Sequence, residues 1–239
     1  MAWLSTEFYY YKGSAPCRAV WMTLKMLKVE YEDKQVDLLK AENKRPWFVR
    51  LNPQHTLPTI NDQGFVLWES RAIMMYVMNK YVTEETQYLY PTDPEERARV
   101  DRMLFFDMGT LYHAIKEYFA PKMHQGLPPD PDKENLLKTS LDYLDTFLET
   151  GGVPYLCGER YTIADISILA SITELDAMDY SYKCYGEVLR WSQRMKENFP
   201  FYKECCEEGV EMTRARVKQL EQDLKKQLEK ERKQSITKK

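Results

Sequence analysis

Glu69, Ser70 and Arg71 stand together at a predicted helix start, where they could bind an anion. The apolar residues that follow recur at the spacing of one helix face: Ala72, Ile73, Tyr76 and Val77. Ser70 is a favoured N-cap residue. Because a helix N-terminus presents unpaired backbone N–H groups and a positive dipole end, this one is suited to a carboxylate. The alternative is a capped helix with a solvated Glu–Arg ion pair.

Ser14 is the second residue that could do chemistry, because its hydroxyl lies at another predicted helix start. Residues 8–11 indicate a strand, and residues 12–16 a turn that ends in Ser-Ala-Pro. Spacing alone leaves two roles open for Ser14, a catalytic hydroxyl or a plain N-cap. Cys17 competes with it, but a redox dithiol needs a second cysteine at position 14. Cys17 also falls on the apolar face of the predicted helix, which favours a buried, inert thiol.

These segments belong to a predicted α/β unit at the N-terminal end. The strand at 8–11 and its helix are followed by a second strand at 31–36 and a hairpin over residues 57–68, with Asp62-Gln63-Gly64 as its turn. A last helix ends near Tyr81, and the crossover between the first two strands should be right-handed. We therefore predict a first domain over residues 1–82 and a polar, proline-marked linker over 83–94.

Residues 95–211 are predicted to form an all-helical domain. One long helix runs from Glu95 to about Phe119, a second covers 133–150, and a short one covers 188–198. Between them, Thr162 stands three residues before Asp165 and ahead of an apolar run, which is close to a capping box.

Composition excludes several classes of protein. The 239 residues are 44% hydrophobic and 30% charged, typical of a globular chain with one large or two modest domains. No apolar stretch is long enough to span a membrane, and residues 1–7 lack a secretion signal pattern, so we predict a cytoplasmic protein. Five cysteines without paired spacing argue against a disulfide framework.

The sequence offers no candidate for a metal or a nucleotide. The three histidines, His55, His113 and His124, have no spacing that would place two ligands on one helix face. The nine glycines form no phosphate-binding loop. We predict no metal, no cofactor and no nucleic-acid partner.

The tail, residues 212–239, differs in charge from the rest of the chain. It holds ten Lys or Arg and four Asp or Glu, a charge of +6, so residues 1–211 carry −9 of the total −3. A thin apolar stripe at intervals of three and four predicts a helix too short for a coiled coil: Val217, Leu220, Leu224 and Leu228. It is either a solvated helix or a contact for an acidic partner or an anionic membrane surface.

The order of three motifs resembles the glutathione S-transferases. GSAPCR at 13–18, NPQHTLPT at 52–59 and LWESRAIM at 67–74 follow one another as in the serine-type insect delta/epsilon group, and the resemblance covers about 200 residues. It implies a thioredoxin-like α/β domain that binds glutathione, followed by an all-α domain. It also implies a homodimer.

The resemblance assigns the chemistry to Ser14. A free glutathione thiol has a pKa of about 8.5 and is only a few per cent ionised at pH 7, whereas the nucleophile must be the thiolate. A hydroxyl aimed at sulfur and a positive helix end would lower that pKa. Glu69 would then hold the amine of the γ-glutamyl group, while Ser70 and Arg71 receive its carboxylate and Asp107 supports Arg71.

Four further residues would bind glutathione by the same resemblance. Leu57 would pair its extended backbone with the peptide, before a cis Pro58. His55 would lie near the glycine carboxylate, although a solvent-facing loop histidine is equally compatible with the sequence. Asn43 stands where related enzymes carry a histidine, so it can hydrogen-bond but carries no charge.

The second substrate should be apolar and electrophilic. A stripe of the long helix has the spacing of one face: Phe105, Met108, Tyr112, Ile115 and Phe119. Such a stripe is either core or pocket. By the resemblance Tyr112 and Phe119 line the substrate pocket, Met108 is a further candidate, and Ala15 and Pro16 form its floor. The tryptophan-rich segment that often covers this pocket in the family is replaced here by Phe199-Pro200-Phe201-Tyr202-Lys203.

These observations predict a glutathione transferase that conjugates glutathione to hydrophobic electrophiles in detoxification. One alternative is a ligandin-like carrier that binds hydrophobic molecules without turnover. Another is an interaction module that uses the fold as a scaffold and the basic tail as its contact.

Overall fold

The computed structural model describes residues 5–237 of the chain and the side chains of residues 5–234. Its N-terminal part is a four-stranded mixed sheet in the order β2-β1-β3-β4. The strands are β1 (Thr6–Tyr10), β2 (Tyr31–Gln35), β3 (Thr59–Asp62) and β4 (Phe65–Trp68). Strand β1 runs parallel to β2 and antiparallel to β3, which pairs antiparallel with β4.

Three helices accompany this sheet. Helix α1 (Ala15–Met26) connects the parallel pair, and α3 (Ser70–Tyr81) follows the hairpin and packs against α1. Alternate residues of β1 point into the core, as the two-residue period of a strand requires, so Phe8 and Tyr10 are fully buried. The short helix α2 (Pro46–Leu51) was not predicted, because six residues are too few to show helical periodicity.

The start of α3 corrects one prediction. Ser70 is the first helical residue, and Glu69 occupies the N-cap position with φ 69° and no capping bond from its side chain. The hydroxyl of Ser70 instead accepts a hydrogen bond from Arg71 Nη1 at 2.9 Å.

The remaining chain is helical, so the predicted order of an α/β domain and an all-α domain is confirmed. The elements are α4 (Pro94–Phe106), a π-helical turn (Asp107–Leu111), α5 (Tyr112–Gln125), α6 (Glu134–Gly151), α7 (Ile163–Ala177), α8 (Gly186–Asn198) and α9 (Glu208–Thr237). Among the described residues, no helix is long and apolar enough to cross a bilayer.

Helix α7 lies at the centre of the helical domain, and almost all of its side chains are buried. The predicted capping box is confirmed: Thr162 caps the helix, and its backbone N–H donates to Asp165 Oδ2 at 2.8 Å. Trp191 of α8 donates to the other carboxylate oxygen of Asp165 at 2.9 Å. This cap fixes the start of the helix against which α1 packs.

The π-helical turn divides the long helix that the sequence predicted. An extra residue in a helical turn rotates every later side chain relative to the earlier ones. The predicted single stripe is therefore split. Phe105, before the turn, is exposed, whereas Ile115 and Phe119, after it, are each only 1% exposed in the core. Met108, in the turn, and Tyr112, directly after it, face a cavity.

Helix α9 begins at Glu208, four residues before the predicted tail, and its first half is built into the fold. Thr213 Oγ1 donates to the carbonyl oxygen of Gly13 at 3.0 Å, and Val217 is buried. Its second half is exposed: within side chains 222–234 only Leu224 is half-buried. Residues 238 and 239 of the predicted tail lie outside the described residues.

Candidate functional site

Two adjoining cavities open beside the N-terminus of α1. The first cavity, about 660 Å³, lies between α1, the start of α3 and the π-helical turn. The second, which we name the tail cavity, is about 470 Å³ and is walled by α5 and α9. Ser14 and Tyr112 line both cavities, so the Ser14 hydroxyl lies at their junction.

Ser14 is the N-cap residue of α1, yet its hydroxyl makes no capping bond. Its extended backbone is held by hydrogen bonds from Ser14 N to Tyr11 O and from Arg18 N to Ser14 O, each 3.0 Å. The plain N-capping role that the sequence left open is therefore not realised. The side chain stays at the positive end of α1, where a donor can meet an anion.

Cys17 is fully buried beside Ser14, as the sequence favoured. Burial raises the pKa of its thiol to about 11, although the Ser14 hydroxyl acts in the opposite direction. A thiol with that pKa is protonated at pH 7 and a poor nucleophile. At this helix start, Ser14 and not Cys17 is therefore suited to interact with a ligand, as a hydrogen-bond donor to an anion.

Arg71 is buried at the base of the first cavity and pairs with Asp107. Arg71 Nε and Nη2 both donate to Asp107 Oδ2, at 3.2 and 2.5 Å. Ser167 and Ser171 of α7 donate to the same carboxylate, which is completely buried. The sequence did not identify these two serines, because their i, i+4 spacing within an apolar helix looks like ordinary packing.

This pairing changes what Arg71 can offer a ligand. Its Nε and Nη2 both donate to Asp107, and Nη1 also donates to Ser70 Oγ. The pair of donors that the sequence analysis expected to bind a ligand carboxylate is therefore directed into the protein. A ligand carboxylate can still be attracted by the positive charge of Arg71. It can also accept hydrogen bonds from the remaining Nη1 hydrogen and from the free backbone N–H groups at the start of α3. Glu69 is exposed at the mouth of the same cavity.

The loop before β3 supplies the opposite wall of the first cavity. The Leu57–Pro58 bond is cis, as the resemblance implies, and both residues line the cavity together with His55. Buried Asn52 organises this loop: its Nδ2 donates to Thr56 O and Thr59 Oγ1, each at 3.0 Å. The sequence analysis gave Asn52 no role.

Asn43 lines both cavities, but its amide is already used. Its Nδ2 donates to the backbone carbonyl of His55 at 2.8 Å, which ties the short turn at 42–44 to the His55 loop. Asn43 therefore braces the wall, and its Oδ1 remains as an acceptor.

The predicted apolar residues divide into two groups. Pro16, Met108 and Tyr112 line the first cavity, and Met108 is 44% exposed. Ala15 and Phe119 line neither cavity and lie in the core, which differs from the pocket positions expected of them. Phe119 packs edge-on against Tyr118 and Tyr180 instead.

The sequence analysis missed three cationic residues that line the site: Lys44, Lys116 and Arg216. They come from the turn at 42–44, from α5 and from α9, so no local motif connects them. Lys116 also lies over the ring of Tyr112, 5.9 Å from its centroid. A helical wheel of α9 could have separated Arg216 from its exposed neighbours, but not shown what it faces.

A buried ion pair underlies the tail cavity. Arg18 Nη2 of α1 donates to Glu174 Oε1 of α7 at 2.9 Å, and both side chains are almost completely buried. Burial raises the pKa of Glu174, and the charge of Arg18 opposes that effect. The pair joins the two domains directly beneath Ser14. Among the residues that the structure describes, no group of three or more His, Cys, Asp or Glu could hold a metal ion.

The arrangement brings donors and positive helix ends to one place. The N-termini of α1 and α3 both face the first cavity through Ser14, Ser70 and Arg71. Such a site can hold a carboxylate at α3 and stabilise a second anion at α1. The adjoining tail cavity can accept another molecule beside Ser14.

Comparisons with known proteins agree with this geometry. A model of the glutathione S-transferase N-terminal domain matches residues 6–79, and a model of the C-terminal domain matches residues 112–199. These two ranges are the sheet-containing part and most of the helical part.

Solved insect structures are similar over most of their length. A delta-class glutathione transferase of Nilaparvata lugens is 41% identical with a TM-score of 0.84, covering 90% of this chain and 99% of that one. An epsilon-class enzyme of the housefly Musca domestica is 31% identical with a TM-score of 0.81, covering 90% and 98%. A glutathione transferase homologue of Drosophila mojavensis, solved with bound glutathione, is 29% identical with a TM-score of 0.81, covering 91% and 98%. Since two family models match most of the chain and a 41% identical relative covers nine-tenths of it, the chain belongs to the glutathione S-transferase family.

Proposed function

We propose that this glutathione transferase adds the thiolate of glutathione to apolar electrophiles, with glutathione as co-substrate and no other cofactor. The observation that carries the proposal is the position of Ser14. Its hydroxyl is not consumed by capping, it stands at the positive end of α1, and it borders both cavities. A sulfur atom held at this junction would meet the hydroxyl on one side and the second substrate on the other.

In the proposed complex, glutathione occupies the first cavity. Ser70 and the charge of Arg71 receive the γ-glutamyl carboxylate, and Glu69 holds the neighbouring amine. Asp107 positions Arg71, because a buried carboxylate that accepts from both Nε and Nη2 fixes the guanidinium plane.

The loop on the other wall would take the rest of the peptide. Leu57 pairs its backbone with glutathione beside Pro58, and His55 faces the glycine carboxylate. Asn43 supports His55 through its carbonyl oxygen. Lys44, next to Asn43, supplies the positive charge that Asn43 lacks.

Chemistry then requires positioning and thiolate stabilisation. The hydroxyl of Ser14 donates to sulfur and lowers the thiol pKa, so that the thiol proton passes to solvent. The thiolate then attacks the electrophilic carbon, and the leaving group departs with the electron pair of the bond that breaks. No covalent bond to the protein forms. Tyr112, which lines both cavities, contacts the apolar body of the electrophile in the tail cavity, and Pro16 and Met108 contact the part that reaches into the first cavity.

The experiment measures the conjugation rate of the purified chain with glutathione and a chlorodinitrobenzene electrophile. Calorimetry with glutathione accompanies it. Turnover well above the uncatalysed rate, together with glutathione binding, is the expected result. Binding of apolar ligands without turnover would instead identify a ligandin-like carrier, and no glutathione binding would contradict the proposal.

We also propose that this protein is a cytoplasmic homodimer that acts in detoxification. Support for an interface comes from large apolar side chains on the surface: Phe105 of α4 is 61% exposed and Phe65 of β4 is 50% exposed. Light scattering should give twice the chain mass of 28.5 kDa. A mass of one chain at micromolar concentration would contradict the dimer.

The second half of α9 remains a candidate contact for an acidic partner or an anionic membrane surface. Its described side chains, residues 222–234, are exposed apart from Leu224, and most of its charged residues are basic. Binding to vesicles with and without anionic lipid, compared for the full chain and a chain ending at residue 221, tests the membrane contact.

A further inference from the structure

Arg216 is a cation that faces the tail cavity from α9. It is half-buried and lines this cavity with Ser14 and Tyr112. Among the described side chains no carboxylate pairs with it, whereas Arg214 on the same helix pairs with both Glu211 and Asp179. Arg216 therefore has hydrogen-bond donors and a charge available to a ligand.

The other charged groups of the tail cavity do not neutralise Arg216. Glu174 is the one acidic residue in its wall, and Arg18 already compensates it from behind. Lys44 and Lys116 add two further positive charges at the rim. Tyr11 lines the same cavity as Arg216; burial raises the pKa of its hydroxyl, and the charge of Arg216 opposes that shift.

Glutathione in the first cavity would not use Arg216. Lys44 and Lys116 border both cavities, so the carboxylates of glutathione can occupy them, but Arg216 lines only the tail cavity. A positive charge thus remains for the second substrate. The positive charge of the tail cavity is a local feature, since residues 1–211 as a whole carry a charge of −9.

The tail cavity also has an apolar wall, beside the polar side chains of Tyr11, Asn43, His124 and Thr213. Its apolar wall consists of Leu38, Leu39, Ala41, Met123 and Val217. Helix α9 is anchored beside Arg216 by the bond from Thr213 to Gly13 O and by the burial of Val217. The guanidinium is therefore presented from a fixed helix.

We infer that Arg216 binds an anionic group of the second substrate, so that this enzyme favours apolar electrophiles that carry a carboxylate or sulfonate. The inference rests on the proposed conjugation activity. An apolar body would fill the tail cavity next to Ser14, while the anion pairs with the guanidinium. Arg216 is thus a specificity-determining residue.

The first test compares two electrophiles that share one reactive centre. 4-Chloro-3,5-dinitrobenzoate is anionic, and its methyl ester is neutral. For each electrophile, kcat/KM is divided by the uncatalysed rate constant to correct for intrinsic reactivity. The corrected value for the benzoate divided by the corrected value for the ester is the preference ratio for the anion. Arg216→Gln should lower this ratio about tenfold, which corresponds to about 1.4 kcal/mol. Lys218→Gln removes one charge from an exposed position of the same helix and should leave the ratio unchanged.

The second test does not depend on turnover. Anilinonaphthalene sulfonate and the uncharged N-phenylnaphthylamine are similar apolar probes whose fluorescence reports binding. Arg216→Gln should weaken binding of the sulfonate about tenfold relative to the amine, and added salt should reduce the difference. Equal effects on both probes would overturn the inference.

The outcomes separate this inference from the proposed function. If neither electrophile is conjugated, the proposed function fails while the probe pair still tests Arg216. If both are conjugated but the ratio does not change in Arg216→Gln, the activity stands and anion recognition by Arg216 is wrong. If Lys218→Gln lowers the ratio equally, the general charge of the tail is responsible and the inference is likewise overturned.

Discussion

Glu69 shows how one residue can be held in an unfavourable conformation where a ligand is expected. Its φ of 69° lies in a region that non-glycine residues rarely adopt, and such residues cluster at functional sites. The side chain is exposed at the mouth of the first cavity, with no ion pair to any described residue. An exposed carboxylate without an ion-pair partner is what we expect at a position that binds a cationic group of a ligand.

Glu69→Gln should therefore weaken glutathione binding without unfolding the protein. The variant keeps the shape and removes the charge that would pair with the ligand amine. The KM for glutathione should rise about ten- to a hundredfold, as for a hydrogen bond to a charged group. Steady-state kinetics at fixed electrophile concentration measure it, beside Glu84→Gln, an exposed carboxylate of the linker. An unchanged KM would contradict the assignment.

Sequence motifs predicted those site residues that lie close together in the chain. Ser14 follows from a helix start, and Glu69 to Arg71 follow from another, so local signals suffice for them. Lys116 and Arg216 could not be predicted, because each looks like an ordinary surface cation until α5 and α9 pack around one cavity. The pairing of Arg71 with Asp107 was implied only by the resemblance.

At the scale of elements, β3 and α3 are joined by one buried carboxylate. Asp62 accepts hydrogen bonds from Tyr76, Lys80 and Tyr81, each at 2.7 Å, and from Thr6 at 2.9 Å. Burial alone would raise the pKa of Asp62, but the bonds from Lys80 and its neighbours outweigh it and lower the pKa. Three elements, β1, β3 and α3, thus meet at this side chain.

Asp62→Asn should destabilise the fold in a pH-dependent way. Since the folded pKa lies below the ordinary value of about 3.9, the charged group stabilises the fold fully above that value. That stability is lost as the pH falls through the folded pKa. Unfolding should cost about 1–3 kcal/mol less in the variant at pH 6, and the difference should shrink below about pH 4.

Urea unfolding of both proteins at pH 6 and pH 3 measures this change. Asp142→Asn, at an exposed position, serves as the control and should change stability little at either pH. A stability difference that is the same at pH 3 as at pH 6 would show that the carboxylate charge is not what Asp62 contributes.

Helix α9 can lie against the body because two glycines leave room for it. A side chain at Gly209 would collide with the carbonyl oxygen of Lys12, and one at Gly126 would lie 2.5 Å from the backbone of Leu220. Gly209→Ala should therefore push α9 away, lowering stability by about 1–3 kcal/mol and lowering kcat/KM for large electrophiles. Gly186→Ala, whose nearest neighbour would be 3.8 Å away, is the matched control. Equal melting temperatures of the two variants would contradict close packing at Gly209.

Element boundaries were predictable where caps mark them. Thr162 and Asp165 predicted the start of α7, and the helix predicted over 133–150 ends within one residue of the observed end of α6 at Gly151. The π-helical turn was not predictable, because Gly109 indicates an irregularity but not an added residue. That one turn explains why Phe105, before it, is exposed, whereas Ile115 and Phe119, after it, lie in the core.

At the scale of the whole molecule, the C-terminal region serves two purposes. The sequence separated a tail at residue 212 by its charge, but charge does not mark where packing ends. Thr213, Arg216 and Val217 wall the tail cavity, whereas side chains 222–234 are mostly exposed. A deletion at 212 would therefore damage the substrate site as well as remove the tail.

Two truncations should separate these purposes. A chain that ends at residue 221 should keep its kcat/KM within about twofold, because the buried half of α9 is retained. A chain that ends at residue 211 should lose about tenfold in kcat/KM for apolar electrophiles, since it lacks the buried side chain of Val217 and its neighbours. Conjugation assays with both chains measure this. Equal activity of the two truncated chains would mean that α9 does not shape the substrate site.

In the proposed reaction the Ser14 hydroxyl stabilises the thiolate of bound glutathione. The most direct measurement is the thiolate ultraviolet absorbance of the binary complex as a function of pH, for the natural chain and Ser14→Ala. We predict a thiol pKa about two units below the free value of about 8.5 in the natural chain. In Ser14→Ala the pKa should return toward 8.5, and kcat/KM should fall by roughly ten- to a thousandfold. An equal thiol pKa in both proteins would contradict the account.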